Sequence, residues 1–379
     1  MVHHFDYLVI GGGVAGVSVA NELSKVATVV LIEREMAPGY HSTGRSAAVI
    51  SENYGPLGWR ALVTASRAFF ENPPPSFAER SLLHRIGAVY LATPEAEAAL
   101  VASARELDRR NVEYRLLPAG EAQQLCPVVR TEDYSLALLE PGCADIDSNG
   151  LLQGYLRSAK ARGLQVLLST EAVSLERRGG CWHVDARDVR LTADAVVNAA
   201  GAWADDVAAK AGIRPKGLQP YRRTAITFDP PAGTDVRTWP MTFDAGETWY
   251  FKPEAGRVMA SPVDKTETEP CDAAPDEFDV AVAIDRIERA TTMTVLRVRS
   301  KWAGLRTFAA DEQPVIGPDP DEPSFIWLAG QGGNGVMGAP AAAELAAAMA
   351  TGSMLPEFVT RYDLELATMM PGRFRRCRD

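Results

Sequence analysis

The first 34 residues constrain the fold more than any other part of the chain. Asp6-Tyr-Leu-Val-Ile10 is a short continuous apolar run, the pattern of a strand buried on both faces of a parallel sheet. Gly11, Gly13 and Gly16 follow in the spacing G-x-G-x-x-G: one for a tight turn, one for close approach of backbone to a pyrophosphate, one for packing of helix on strand. The spacing predicts a helix over 14–23 whose first residues, Val14 and Ala15, bring their amides toward an anion. A second buried run, Thr28-Val-Val-Leu-Ile32, ends at Glu33 and Arg34, about twenty residues beyond the turn, where an acid accepts hydrogen bonds from an adenosine ribose. Glycine-rich turns are common alone, and the plainer reading of Glu33, a solvated strand end, is the weaker one. Strand, turn, helix, strand and acid in this order read as a dinucleotide site.

A nicotinamide enzyme would continue in regular strand-helix alternation. Here the chain breaks into APGYHSTGRSAAVISENYG, rich in small residues and hydroxyls. That favours FAD, bound extended, with Ser42, Thr43, Gly44, Arg45, Ser46, Ala47 and Ala48 beside its ribityl chain and ring. His41 in this stretch reads as structural.

A chain of 379 residues is long enough for two packed domains and a buried cofactor. The net charge of -10 argues against a nucleic-acid partner, and the basic ending GRFRRCRD reads as a solvated terminus. Cys126, Cys143, Cys181, Cys271 and Cys377 are scattered without a C-x-x-C pair, so neither a zinc site nor a disulfide framework is expected. No segment reaches the roughly 18 apolar residues of a membrane span, and no leader pattern precedes the first strand, so a cytoplasmic location is expected.

Three later blocks read as parts of the same nucleotide-binding unit. Gln165 to Glu176 alternates like a strand or strand pair, with Val173 placed to meet an adenine. ADAVVNAAGAWADDVAAKAG gives a strand, a small-residue turn at 198–201 and a helix, bringing Ala200, Gly201 and Trp203 to the ligand. PSFIWLAGQGGNGVMG supplies a strand and a glycine turn with Gly332, Gly333, Asn334, Gly335 and Val336, before a strong helix former over 339–350. The start of that helix, at the electron-rich edge of a flavin, would stabilise negative charge there. The expected fold class is therefore α/β. It comprises a Rossmann-type FAD-binding domain from 1–86, 143–217 and 306–379, and a discontinuous α+β substrate domain from 87–142 and 218–305 on an antiparallel sheet. The acidic stretch TETEPCDAAPDE reads as a surface connection.

In order, DYLVIGGGVAG, GYHSTGRSAA, VVNAAGAW, YRRTAITF, WAGLRTF and AGQGGNG resemble the D-amino-acid-oxidase-like FAD oxidoreductases, and among them the bacterial D-arginine dehydrogenases, over nearly the whole chain. The resemblance implies a glutathione-reductase-like FAD domain, with Gly304 and Arg306 also near the flavin. It implies oxidation of a D-amino acid to an imino acid that water hydrolyses to a keto acid. It places the substrate carboxylate on Tyr54, Arg223, Tyr250 and Arg306, with Gly333 nearby, and it implies no acid-base residue. A buried carboxylate needs charge-assisted and preferably bidentate partners, which agrees. Each residue has a plainer reading. Arg222 could point inward in place of Arg223, Arg306 could pair with Asp311 or Glu312, and Tyr54 and Tyr250 could be core aromatics.

The chain departs from the D-arginine enzymes at three positions. Ala88 stands where they have a glutamate for the guanidinium, Val49 where they have a histidine, and Ser51 where they have a threonine. An apolar or otherwise non-cationic D-amino acid is therefore expected, with a glycine or sarcosine-type N-substituted amino acid, or D-arginine itself, as alternatives. WAGLRTFAADEQPVIG lacks the cysteine, and the Arg45 region the histidine, of relatives with covalent flavin, so noncovalent FAD is expected. The electron acceptor (oxygen, quinone or other) and the choice of monomer or homodimer stay open. An FAD monooxygenase fits less well, because AGQGGNG lacks an aspartate near the ribityl chain.

Overall fold

The computed structural model describes residues 3–187 and 189–374; Cys377 and the end of the basic tail lie outside them. The strand His3–Ile10 pairs in parallel with Val29–Ile32 on one side and with Val189–Asn198 on the other. Gln165–Leu167 and Phe325–Ala329 extend the parallel core outward. These strands bury both faces, and alternation divides their side chains between two cores. Val9 and Leu31 pack on the side of the helices Val14–Leu23 and Ala339–Thr351, while Leu8, Ile10, Val30 and Ile32 pack with Trp182 and Trp327. Every residue of Val14–Leu23 except Glu22 is buried, which its small side chains permit. Antiparallel strands complete this eight-stranded sheet: Ser174–Arg178 and Cys181–Ala186 at one end, and Val315–Pro318 beside Phe325–Ala329. Just beyond Val315–Pro318 lies a buried ion pair, Lys216 Nζ to Asp319 Oδ2 at 2.7 Å, with Trp327 Nε1 donating to the same oxygen at 3.0 Å.

A second sheet of nine strands is mostly antiparallel. Its longest pairing joins Gln219–Phe228 to Val298–Phe308, with Arg223 opposite Gly304 and Tyr221 opposite Arg306. The expectation of a wholly antiparallel sheet needs correction, because Met241–Asp244 runs parallel to Ala88–Ala92. The helices Glu97–Arg109 and Glu277–Ala290 cover opposite faces of this sheet, packing on the separate clusters that contain Tyr90 and Val89. A small three-stranded sheet of Val49–Ile50, Leu83–Arg85 and Ala144–Ile146 lies between. The thiols of Cys126, Cys143, Cys181 and Cys271 are free, and no described helix is long and apolar enough to cross a membrane.

The segment 266–277 is more than a surface connection. Thr266–Glu267 pairs with the edge of Gln219–Phe228, Asp272 forms an ion pair with Arg45, and Ala273 O accepts from Arg45 Nη1 at 2.8 Å.

Candidate functional site

A cavity of about 830 Å3 opens at the carboxyl ends of the parallel strands and runs to the second sheet. Ligands of open parallel sheets bind at this end because the turns that leave it carry free amides and helix starts. The Gly11 backbone has a φ of 109°, and a Cβ there would stand 2.5 Å from the Ala199 carbonyl oxygen. A Cβ on Gly16 would overlap the Gly11 carbonyl oxygen, so Gly16 sets the approach of helix to strand and does not itself line the cavity. Gly13, Val14 and Ala15 do line it.

Glu33 lines the same end, and its carboxylate also braces the turn. Oε2 accepts from Gly12 N at 2.5 Å and Oε1 from Glu35 N at 2.8 Å. Arg34 lies 3.8 Å above the Trp203 ring, and Trp203, Ala200 and Gly201 all face the cavity. Val173 does not. It is exposed, and its N–H is spent on Asp185 O in the antiparallel extension, while the preceding residues Thr170, Glu171 and Ala172 form the wall.

The 42–48 stretch forms the middle of the cavity. Thr43 Oγ1 accepts from Val14 N at 3.0 Å, Ser42 Oγ donates to Leu305 O at 2.7 Å, and Ser46, Ala47 and Ala48 expose small surfaces. Gly44 turns away, its N–H bonded to Gly39 O. Arg45 lines the wall, but its guanidinium is committed to Asp272, Ala273 O and Ala303 O. His41 bonds Glu35 through Nε2 at 2.9 Å and holds the Glu35 carboxyl below its usual range. Among the described residues no cysteine lines the cavity.

An FAD fits what is present. The volume is in the upper part of the range for small-molecule sites, and glycine and alanine recur in the walls beside the parallel strand ends.

At the far end, strand alternation puts Arg223 and Arg306 on one face. Arg222 points the other way, with Nη2 2.8 Å from Asp279 Oδ2. Arg306 does not pair with Asp311 or Glu312, which take Arg373 and Lys265; its Nη1 donates to the Tyr54 hydroxyl at 2.9 Å. Gly333 leaves room for Arg306, since a Cβ there would stand 2.9 Å from its Nη1, while a Cβ on Gly304 would stand 3.3 Å from Arg45 Cβ. Arg223 Nε donates to Asp264 O at 2.7 Å, while the Asp264 carboxylate is bound to Thr224 and sits 4.0 Å from Arg223 Nε. Burial, reinforced by the Arg306 charge, pulls the Arg223 guanidinium down to about 10. Two adjacent cations that share one carboxylate, held at 4.0 Å and bonded to Thr224, keep charge in excess and make a strong receptor for an anion. Tyr250 also lines this end, and its hydroxyl has no hydrogen-bond partner among the described residues.

Gly332, Gly335 and Val336 line the adjoining wall. Asn334 does not; it is buried against Gly55, its Oδ1 without a partner. The helix Ala339–Thr351 begins beyond Met337, so Val336 and Met337 stand between its start and the cavity.

Ala88 requires the largest correction. It is fully buried among Tyr90, Leu138 and Cys143 and does not reach the cavity; Tyr90, two residues along the same strand face, does. Tyr90 stacks on Phe243 with ring centroids 4.6 Å apart, and its hydroxyl lies 2.5 Å from Ser51 Oγ, which donates to Glu140 Oε2 at 2.6 Å. Burial raises the Glu140 carboxyl to about 7. Val49 does line the cavity. Arg60, Tyr90, Phe243 and Met259 are lining residues that sequence reasoning missed, since in sequence they look like ordinary strand and helix positions.

The sequence profile of the family described as DAO, FAD dependent oxidoreductase, matches residues 6–349. Glycine oxidase of Geobacillus kaustophilus is 24% identical over 363 residues, covering 90% of this chain and 91% of that protein. Rat mitochondrial dimethylglycine dehydrogenase is 23% identical over 355 residues, covering 88% of this chain but 41% of that longer protein. The solved structure of L-proline dehydrogenase from P. horikoshii superposes with a TM-score of 0.83 at 22% identity, over 99% of this chain and 98% of that one, which shows a shared fold. With a glycine turn at the strand ends, a cavity fit for a dinucleotide and a profile match over most of its length, the chain belongs to the DAO family of FAD-dependent oxidoreductases.

Proposed function

We propose that this protein oxidises an amino acid at its α-carbon, holding the substrate carboxylate between Arg223 and Arg306 with the Tyr54 and Tyr250 hydroxyls. One observation carries the reading: two arginines on the same face of paired strands, at the end of the flavin cavity, share a single carboxylate, Asp264, which lies 4.0 Å from Arg223 Nε and is itself bonded to Thr224. Anchoring by this pair fixes the α-carbon, and positioning of this kind is where the rate enhancement arises. Bound FAD supplies the acceptor for the hydride that leaves the α-carbon. The amine must be the free base, because its lone pair forms the C=N bond as the C–H bond breaks. The clamp offers arginines and tyrosines and no carboxylate or histidine base, so activity rises with pH as the substrate ammonium loses its proton.

We assign FAD as noncovalent, in a Rossmann-type domain of 1–86, 143–217 and 306–379, with 87–142 and 218–305 forming the substrate domain. The substrate reading is a D-amino acid without a cationic side chain. Its support is now the excess of arginine at the clamp, since Ala88 does not reach the cavity. The likeness to glycine oxidase and dimethylglycine dehydrogenase favours a second reading, a glycine or N-substituted amino acid on the same clamp. Anaerobic mixing of the FAD-loaded protein with D-, L- and N-methyl amino acids, followed by bleaching of the flavin absorbance, separates these readings. Bleaching by D-arginine in preference to D-leucine and D-methionine overturns the non-cationic assignment, and bleaching by none of the compounds overturns the activity.

A further inference from the structure

The cavity continues past the Tyr90 and Phe243 rings to Arg60, in the first turn of the helix Leu57–Glu71, where Asn53, Leu100 and Ser103 complete the wall. Arg60 Nε donates to Gly55 O at 2.7 Å and Nη1 to Ser103 Oγ at 2.8 Å, and Ser103 Oγ donates onward to Asn53 Oδ1 at 2.8 Å. These bonds fix the guanidinium plane. Nη2 keeps no hydrogen-bond partner among the described residues, and Arg60 makes no ion pair within 4.0 Å. Behind it stands a second cation, Arg110, whose Nη1 donates to Arg60 O at 3.1 Å and whose Nη2 is buried without a partner. Glu106, Glu140 and Glu247 act on Arg60 only at longer range; Glu247 also lines the cavity, on an exposed turn, without reaching ion-pair distance of Arg60.

A half-buried, oriented cation with an N–H pair open to a ligand cavity is a ready partner for an anion. The clamp already takes one carboxylate. Arg306 bonds the Tyr54 hydroxyl, and Arg60 bonds the carbonyl of the next residue, Gly55. The two guanidinium groups line one cavity and are tied to consecutive residues, Tyr54 and Gly55, an arrangement that admits a diacid bridging them. The stacked Tyr90 and Phe243 rings between them offer an apolar wall for its methylenes.

We propose that Arg60 binds a second carboxylate of the substrate, so that the preferred substrate class is an amino dicarboxylate. This rests on the proposed carboxylate clamp and narrows the non-cationic side chain to an anionic one. The amide of the same length loses the charge-assisted bond to Arg60 and leaves that cation unpaired.

The test titrates the FAD-loaded protein with glutarate and with its monoamide, read as the perturbation of the flavin absorbance, for the unaltered chain, Arg60→Gln and Arg60→Lys. Glutarate is expected to bind about tenfold or more tighter than the monoamide, the effect of one charge-assisted hydrogen bond. Arg60→Gln should erase the difference and Arg60→Lys retain part of it. Anaerobic reduction forms the second arm: amino dicarboxylates should bleach the flavin at lower concentrations than their side-chain amides. Equal affinities of glutarate and its monoamide for the unaltered protein, or binding of neither, overturn the assignment of Arg60 while flavin reduction by other amino acids leaves the clamp standing. A glutarate preference that depends on Arg60, with no amino acid reducing the flavin, upholds the anion subsite and overturns the proposed activity instead.

Discussion

Arg306 Nη1 lies 2.9 Å from the Tyr54 hydroxyl, joining residues 252 positions apart in the chain. The bond fixes the guanidinium from one side, and the Gly333 backbone leaves space beside it where a side chain would collide. Arg306→Ala is expected to raise the apparent Kd of a carboxylate substrate by about 100-fold, since it removes one member of a buried charge-anchoring set. Rapid-mixing reduction of the flavin across substrate concentrations measures this. An unchanged half-saturation point would remove Arg306 from the clamp.

Gly16→Ala should abolish flavin retention. The added methyl overlaps the Gly11 carbonyl oxygen, so the helix Val14–Leu23 must lift from its strand and carry Gly13 and Val14 away from the cofactor. The ratio of flavin absorbance to protein absorbance after purification reports the loss, and circular dichroism shows whether the rest of the chain folds.

Glu140 gives the protein a definite pH response. Burial raises its carboxyl from 4.5 to about 7. The folded chain thus binds this proton more tightly than the unfolded chain, and the associated stability is fully present below about pH 4.5 and lost as pH rises to about 7. The change is on the order of 3 kcal/mol for a shift of this size. Glu140→Gln keeps an acceptor for Glu52 N and puts an N–H where Ser51 Oγ now donates, and it should flatten the dependence in urea unfolding between pH 5 and 7. A variant whose unfolding keeps the slope of the unaltered protein would contradict this.

Asp319→Ala should destabilise the folded chain by about 3 to 5 kcal/mol. The substitution strands the Lys216 ammonium, whose side chain is 3% exposed, and leaves Trp327 Nε1 without its acceptor. Thermal unfolding at neutral pH reads the effect; a loss under 1 kcal/mol would show that water or another group reaches Lys216.

Legibility in the sequence followed the range of the physical constraint. The turn at Gly11–Gly16 was readable because it depends on backbone geometry within six residues. Strand alternation said that only one of Arg222 and Arg223 could face inward; which one needed the partners that Arg222 finds on the other face. Ala88 misled because sequence position along a strand gives the face but not the depth: the Tyr90 and Phe243 rings close the surface before Ala88 reaches it. Arg60 was invisible, since an arginine in the first turn of an amphipathic helix looks the same whether it meets solvent or a cavity. Asp272 was equally hidden, because its acidic surroundings resemble a solvated loop until Arg45 arrives from 227 residues away.

The clamp draws Tyr54, Arg223, Tyr250 and Arg306 from widely separated segments, so no contiguous fragment shorter than that span can assemble it. The set is therefore complete only after distant strands have paired, and a nascent chain that ends before Arg306 lacks part of it. Topologies with such long-range pairings mature slowly, which makes this protein's competence a report on completed folding rather than on early collapse.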